Sequence, residues 1–562
     1  MSAVLEVREP GARYLSAPQP LLAREFDLMA TAPGGVARLR ELILTLAVRG
    51  KLVPQDISDE PADVLLQRIK VEKDRLICDG TVRRDKPSPL FDHDQQTFDL
   101  PPRWVWCRLG DVAWPQAGFA FKSGGFNEEA RGLPLVRIRD VGSAADPTTF
   151  FLGEYRPEFV VERDDWLISM DGEFRVRRWH GSKALLNQRV TRLIFFSGTV
   201  ASEFVAHALQ VELSKLQGTK AYTTVDHLSG AQIAEAVIGL PPVEEQSRIV
   251  ARVEELMRLC DVLEAKGRLE AEQHARLLST LLGTLTDSTS PDELATNWHR
   301  VAAHFDLLLD RPEAVGVLEQ TILQLAVRGS LVNQDPTDQA ARTLLQKIAD
   351  VSGNKAGRTT TAAETIDDFR QLFALPQSWA WAQFASVAEI ASNLVSPAAH
   401  AKAWQVAPDC IEKGTGRLLE RRTVAEAGVT SANHQFAPGQ ILYSKIRPSL
   451  SKVVQVDFAG LCSADMYPVN ARIDPSYLLL YMLSRAFLMQ VSAAENRVKM
   501  PKLNQEALNS LLVAVPPLAE QQRIVVRVTQ LRRLCTDLRQ RLAASQTTQT
   551  HLAEALVGSA IA

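Results

Sequence analysis

Between Gly172 and Arg192 the chain carries Arg175, Arg177, Arg178, Lys183, Arg189 and Arg192 against one acid, Glu173. Phe174, Trp179 and His180 are interleaved with them. Clustered guanidinium and ammonium groups suit phosphate, because binding there releases counterions. Arg, Asn and Gln can also grip a base edge through paired hydrogen bonds, which makes Asn187, Gln188 and Arg189 the candidates for base reading. Secondary candidates are Lys122, in the loop from Gly118 to Ser123, and Arg137 and Arg139. The last two sit on Leu135–Val141, whose alternation of apolar and charged residues predicts a strand. The bland reading of the cluster is a solvated basic face, or arginines paired with Asp164, Asp165 and Asp171.

A second pair of basic runs, Tyr443 to Lys452 and Arg497 to Lys502, contains no intervening acid. Tyr443, Ser444, Lys445, Arg447 and Lys452 in the first, and Arg497, Lys499 and Lys502 in the second, could hold backbone or bases. A plain surface loop is the alternative for each. Net charge is −3, which neither demands nor excludes nucleic acid, since local clustering is what counts.

Other chemistry finds no foothold. No Gly-rich phosphate loop ending in Gly-Lys-Ser/Thr occurs, so nothing predicts ATP binding. No Asn/Asp-Pro-Pro-aromatic tetrad is present, and Pro242 and Pro517 follow other prolines behind Leu or Val, so no adenine-methylating site is expected. Asp409, Glu412 and Lys413 lie too close together for two strands to bring the carboxylates around a metal. Six scattered cysteines, with no Cys-x-x-Cys, are expected to be reduced thiols. No apolar run reaches membrane-spanning length, and the first twenty residues lack the apolar stretch of a signal peptide, so a cytoplasmic location is expected.

The elements that must position these residues are duplicated. Residues 240–263 and 515–538 agree at 14 of 24 positions at an offset of 275. Residues 46–69 and 325–348 agree at 15 of 24. The first pair opens with Pro-Pro, then a Glu-Gln-x-Arg-Ile-Val block, and then steps by four and three through Ile249, Val253, Leu256, Cys260 and Leu263 and through Ile524, Val528, Leu531, Cys535 and Leu538. Prolines and acids suit a helix start, and the stepping predicts a narrow coiled-coil-like seam. Such helices of some forty residues would be roughly 60 Å long, enough to hold two domains apart.

Between the helices, 107–239 and 382–514 read as mixed α+β domains with little shared sequence. Each opens with a Trp-x-Trp pair, Trp104/Trp106 and Trp379/Trp381, expected in the core. The reading is α+β: two globular domains on long antiparallel helical spacers, in a pseudo-twofold internal repeat. Its segments are an N-terminal arm (1–35), a helical region (36–99), a first domain (100–240), a central helical region (241–350), a linker (351–374), a second domain (375–515) and a C-terminal helix (516–562). The last helix is expected to pack on the N-terminal pair, as the central one packs on 310–350. A break is expected across 285–298.

This arrangement resembles the specificity subunit of type I restriction-modification systems. The Pro-Pro-x-x-Glu-Gln-x-Arg-Ile-Val block at 240–250 and 515–525 carries the likeness, with Ala-Val-Arg-Gly-x-Leu-Val at 47–53 and 326–332 and the two Trp-x-Trp openings. The resemblance implies a non-catalytic DNA reader involved in phage defence, with two target recognition domains that each read half of a split site. It also implies helical spacers that set the gap and dock two modification (methyltransferase) subunits, with restriction/translocase subunits in the full complex. S-adenosylmethionine, ATP and Mg are then expected on those partners and not on this chain. The competing class is a two-domain protein-interaction scaffold, which the overall acidity mildly favours.

Overall fold

The computed structural model describes residues 26–80, 82, 98–217, 228–353, 372–494 and 502–561. The chain forms two compact units, one of residues 1–269 with 546–562 and the other of residues 270–545.

In the first unit, α1 (Gly35–Val48) and α2 (Ala62–Cys78) form the N-terminal helix pair. Gly50 follows α1 with φ 66°, the left-handed turn that ends a helix without a Cβ penalty. A Cβ there would also stand 2.4 Å from Pro101, so the chain turns close against the start of the next domain. That domain enters through β1 (Val105–Arg108) and leaves through an antiparallel partner. Between them come β2 (Ala113–Ala117), β3 (Leu133–Val136), β4 (Val160–Val161), β5 (Trp166–Ser169), β6 (Val176–Arg178), β7 (Ala184–Leu186), β8 (Val190–Phe195) and α3 (Ser202–Gln217). The exit strand is β9 (Val237–Leu240), and α4 (Val243–Asp287) follows it.

One sheet has the order β2-β8-β5-β6, and a second is built around β3, β7 and β4, with β3 and β7 parallel. β7 is buried on both faces: Leu186 joins one core with Val136 and Trp179, and Leu185 joins another with Phe121 and Phe151. An unbroken apolar run is what a two-faced strand requires. The expected strand over Leu135–Val141 ends at Val136. Asp140 takes the Arg137 backbone N–H at 2.8 Å and closes a 3-10 turn over Ile138–Asp140, so Arg137 and Arg139 do not alternate across a sheet.

The second unit is helical where a break was expected. The Ser-Pro-Asp-Glu stretch expected as part of a break starts a helix, α5 (Pro291–Ala303). Ser290 caps it by accepting from the Glu293 N–H, with Pro291 at its first position. Then come α6 (Pro312–Val327), α7 (Ala341–Gly353), β10 (Ala380–Gln383), β11 (Ala388–Ile390), β12 (Trp404–Val406), β13 (Asn433–Phe436), β14 (Ile441–Ser444), β15 (Val453–Gln455), β16 (Gly460–Cys462) and β17 (Met466–Ala471). The chain finishes with α8 (Pro475–Leu483), α9 (Arg485–Ala494), β18 (Leu512–Val515) and α10 (Leu518–Ile561). The sheet order is β11-β17-β14-β15, matching β2-β8-β5-β6 strand for strand. Again a parallel pair, β12 with β16, is flanked by an antiparallel neighbour, β13. The two domains therefore share one topology despite their dissimilar sequences.

The motif residues of the long helices hold each unit together. Glu245 accepts from the Trp104 indole at 3.0 Å and from the Gln55 amide at 2.6 Å. Glu520 accepts from Trp379 at 3.0 Å and Gln334 at 2.7 Å. Gln246 and Gln521 accept from the backbone N–H of Ala201 and Asp474, each at 2.9 Å. Arg248 pairs with buried Asp59 at 2.5 Å, and Arg523 with half-buried Asp338 at 2.6 Å. Each motif thus clasps the start of the α4 or α10 helix to the loop after its α1 or α6 helix and to the Trp that opens its domain. Burial pushes the Glu245 and Glu520 carboxyls above the usual range, and their Trp and Gln donors pull them partly back.

The helix seam is intramolecular. Ile249 and Val253 join a core with Ala47, Leu65, Trp104 and Phe204, and Ile524 and Val528 join one with Trp379, Tyr477 and Tyr481. Leu256 and Leu531 are half-buried. In the first unit Ala553, Leu556 and Val557 of α10 cluster with Leu39, Leu42 and Cys260, and Arg38 meets Glu554 at 2.8 Å. The C-terminal helix thus packs on the N-terminal pair. In the second unit Leu278, Leu282 and Leu285 of α4 share a core with Leu318 and Ile322 of α6. Trp104 and Trp379 are buried as expected, Trp106 and Trp381 half-buried. The described cysteines are free thiols. Among the described residues no single helix is long and apolar enough to cross a membrane.

Candidate nucleic-acid interface

In the first domain the turn between β7 and β8 carries Asn187, Gln188 and Arg189. Its neighbours are fixed by backbone bonds. The Asn187 N–H donates to Val136 at 3.3 Å, the Phe119 N–H to Leu186 at 2.9 Å, and the Met170 N–H to Arg189 at 3.1 Å. The loop holding Lys122, the end of β3 with Arg137 and the end of β5 with Asp171 therefore gather around this turn. Gly118 permits that closeness, because a Cβ there would stand 2.1 Å from the Asn187 carbonyl oxygen. Lys122 and Gln188 are exposed, and the Asn187 side chain accepts from the Gln188 N–H at 2.7 Å.

The basic run is paired in the way its alternative reading held. Arg175 pairs with Glu173 at 2.5 Å, Arg178 with Asp164 at 3.0 Å and Glu203 at 3.2 Å, and Lys183 with Glu162 at 3.6 Å. Arg189 meets Asp171 at 3.5 Å and Arg192 meets Asp165 at 3.3 Å. The three acids of the bland reading are all used. Arg177 binds the Gln210 amide oxygen at 2.9 Å, and burial lowers its pKa. Arg137 leans on Thr149, and Arg139, more exposed, approaches it at 3.5 Å. Arg177 and Arg178 lie on the edge strand β6 and Arg175 just before it, while Asn187, Gln188 and Arg189 form a separate group at the strand ends.

In the second domain Tyr443 and Ser444 lie inside the central strand β14 and are 1% exposed, so they cannot reach DNA. A strand between two neighbours points its side chains into cores on both faces, which the basic flanking residues concealed. Lys445 donates to the Ala464 carbonyl at 2.6 Å, and Lys452 to the Pro408 carbonyl at 2.6 Å. Arg447 is exposed with φ 44°. Lys502 meets Asp465 at 3.4 Å and bridges to Ile446. Arg497 and Lys499 lie outside the described residues.

The two sites are equivalent in backbone. The Met170 N–H bonds to the Arg189 carbonyl in the first domain, as the Lys445 N–H bonds to Asp465 at 3.0 Å in the second. Leu228 donates to Met170 at 2.8 Å, and Leu503 to Lys445 at 2.9 Å. Asn187 donates to Val136, and Ser463 to Val406 at 2.9 Å. Sequence reasoning missed Asp465, since an acid outside a basic run gave no signal. It also missed the clasp, although the identity of Glu245 and Glu520, Gln246 and Gln521, and Asp59 and Asp338 between repeats was visible.

Two like-folded domains with unlike loops, each pinned by the same clasp to duplicated helices, have the build of a two-site recognition protein. The type I restriction modification DNA specificity domain matches residues 101–273 and 414–545, and the chain belongs to that family of specificity subunits. Its relatives include the type I restriction enzyme EcoEI and EcoAI specificity subunits of Escherichia coli. The first is 29% identical over 573 residues and the second 29% over 578, each covering 94% of both chains. The EcoDI specificity subunit of the same organism is 30% identical over 367 residues, 65% of this chain and 70% of that one. A specificity subunit has a recognition role and not a catalytic one.

Proposed function

We propose that each recognition domain reads one half of a bipartite DNA site, and that the duplicated helices set the gap and dock two methyltransferase subunits, with restriction/translocase subunits joining through them. The chain itself binds no cofactor in this reading. S-adenosylmethionine, ATP and Mg belong to its partners, and the complex works in the cytoplasm. The observation that carries it is the pair of backbone-equivalent loop sites, Asn187–Arg189 and Ser463–Asp465, with different side chains. One scaffold that repeats while its contacts vary is what reading two different half-sites requires.

Modified-base sequencing tests it, using DNA from cells expressing the neighbouring methyltransferase subunit with and without this chain. Adenine methylation at a split motif, dependent on the chain, is the expected result. No such methylation from an assembled complex would favour the protein-scaffold reading.

A further inference from the structure

We infer that Arg189 and Asp465 are equivalent specificity-determining residues that offer DNA opposite hydrogen-bonding polarity, a donor in the first domain and an acceptor in the second. The inference rests on the DNA-reading function proposed above. Both residues stand where the turn after the parallel pair meets the first residue beyond the central strand, and both give their carbonyl to that residue's N–H, Met170 or Lys445. At this shared place the side chain is a guanidinium in one domain and a carboxylate in the other.

Each is held by a counter-charge from the neighbouring segment. Asp171 faces Arg189 at 3.5 Å, and Lys502 faces Asp465 at 3.4 Å. The Arg189 side chain is 50% exposed and that of Asp465 42%. The Asp465–Lys502 pair is exposed on both sides and holds little free energy, so it can part for a base edge, while the Arg189–Asp171 pair is enclosed on its Asp171 side and exposed at the guanidinium. Lys445 and Lys452 are tied to carbonyls, and Tyr443 and Ser444 are enclosed. An arginine matches the two acceptors of guanine, and a carboxylate accepts from the cytosine amino group. Arg189 then reads the guanine of a G·C pair in one half-site, and Asp465 the cytosine of a G·C pair in the other.

The test expresses wild type, Arg189→Gln and Asp465→Asn separately with the methyltransferase subunit and maps modified bases. Each variant should relax one G·C position in one half-site by about 5- to 150-fold and leave the other half-site intact. The unchanged half reports that the chain folds and assembles. If methylation by a variant falls below detection, the purified complex is titrated with duplexes carrying each of the four base pairs at that position. Loss of preference there supports the assignment. Preserved preference in both variants, or a wild-type half-site made of A·T pairs alone, overturns it. A wild type that directs no split motif overturns the DNA-reading function itself.

Discussion

Single residues decide how firmly each domain is tied to its helix. The buried Glu520 carboxylate depends on two donors, and removing one leaves a charged acceptor short of a partner. Trp379→Phe should therefore cost about 1.5–3 kcal/mol in urea unfolding. Trp381→Phe is the contrast, because its Nε1 is buried yet finds no acceptor among the described residues. The second change forfeits no hydrogen bond and should cost clearly less; equal losses would mean that the Glu520 contact adds nothing beyond packing. His207 offers a pH signature. Burial, aided by Arg177 and opposed by Glu203, pushes it down to about 4. Between its ordinary value of 6.5 and about 4, the unfolded chain takes up a proton that the folded chain refuses. Stability at this position is thus complete above pH 6.5 and falls as pH drops through the window. His207→Gln should flatten that acid limb in melts from pH 4 to 7, and an unaltered limb would mean the ring is hydrated.

Among the elements, the turn after β7 depends on the loop beside it. Gly118→Ala sets a Cβ 2.1 Å from the Asn187 carbonyl oxygen, backbone that cannot swing aside. The loop with Lys122 must retreat, loosening the Asn187–Arg189 group. The expected outcome is weakened recognition of the first half-site with the second unchanged, read by modified-base mapping. Equal loss at both half-sites would mean that the loop serves the fold and not the contact. The helix seam behaves differently from an assembly surface. Ile249 and Ile524 are fully buried in their own unit's core, so a polar substitution at either should unfold that unit before it affects any partner.

At the scale of the whole chain, β1 and β9 end where β10 and β18 end at a constant offset of 275. Each domain is thus an insert between equivalent strand pairs. Replacing residues 384–511 with a second copy of 109–236 should preserve folding and yield a motif whose two halves are alike. A folded chimera that still directs the original motif would show that specificity resides outside the inserts.

The sequence alone determined the duplication, the helical seams, the buried tryptophans and the family resemblance. Identity at fixed offsets and helical periodicity are local properties that survive without tertiary context. It did not reveal that the dissimilar inserts share a strand order, because topology is written in pairings between distant strands. Charge was the poorest guide. The run from Arg175 to Arg192 left open whether its arginines face solvent or pair with Asp164, Asp165 and Asp171, and the folded sheet decides it by bringing those acids alongside, with Glu162 and Glu203 besides. Tyr443 and Ser444 looked accessible, since burial depends on a strand's neighbours and not on the residues that flank it. The equivalence of Arg189 and Asp465 likewise came from the tertiary structure, since it lies in matching backbone bonds between residues of opposite charge.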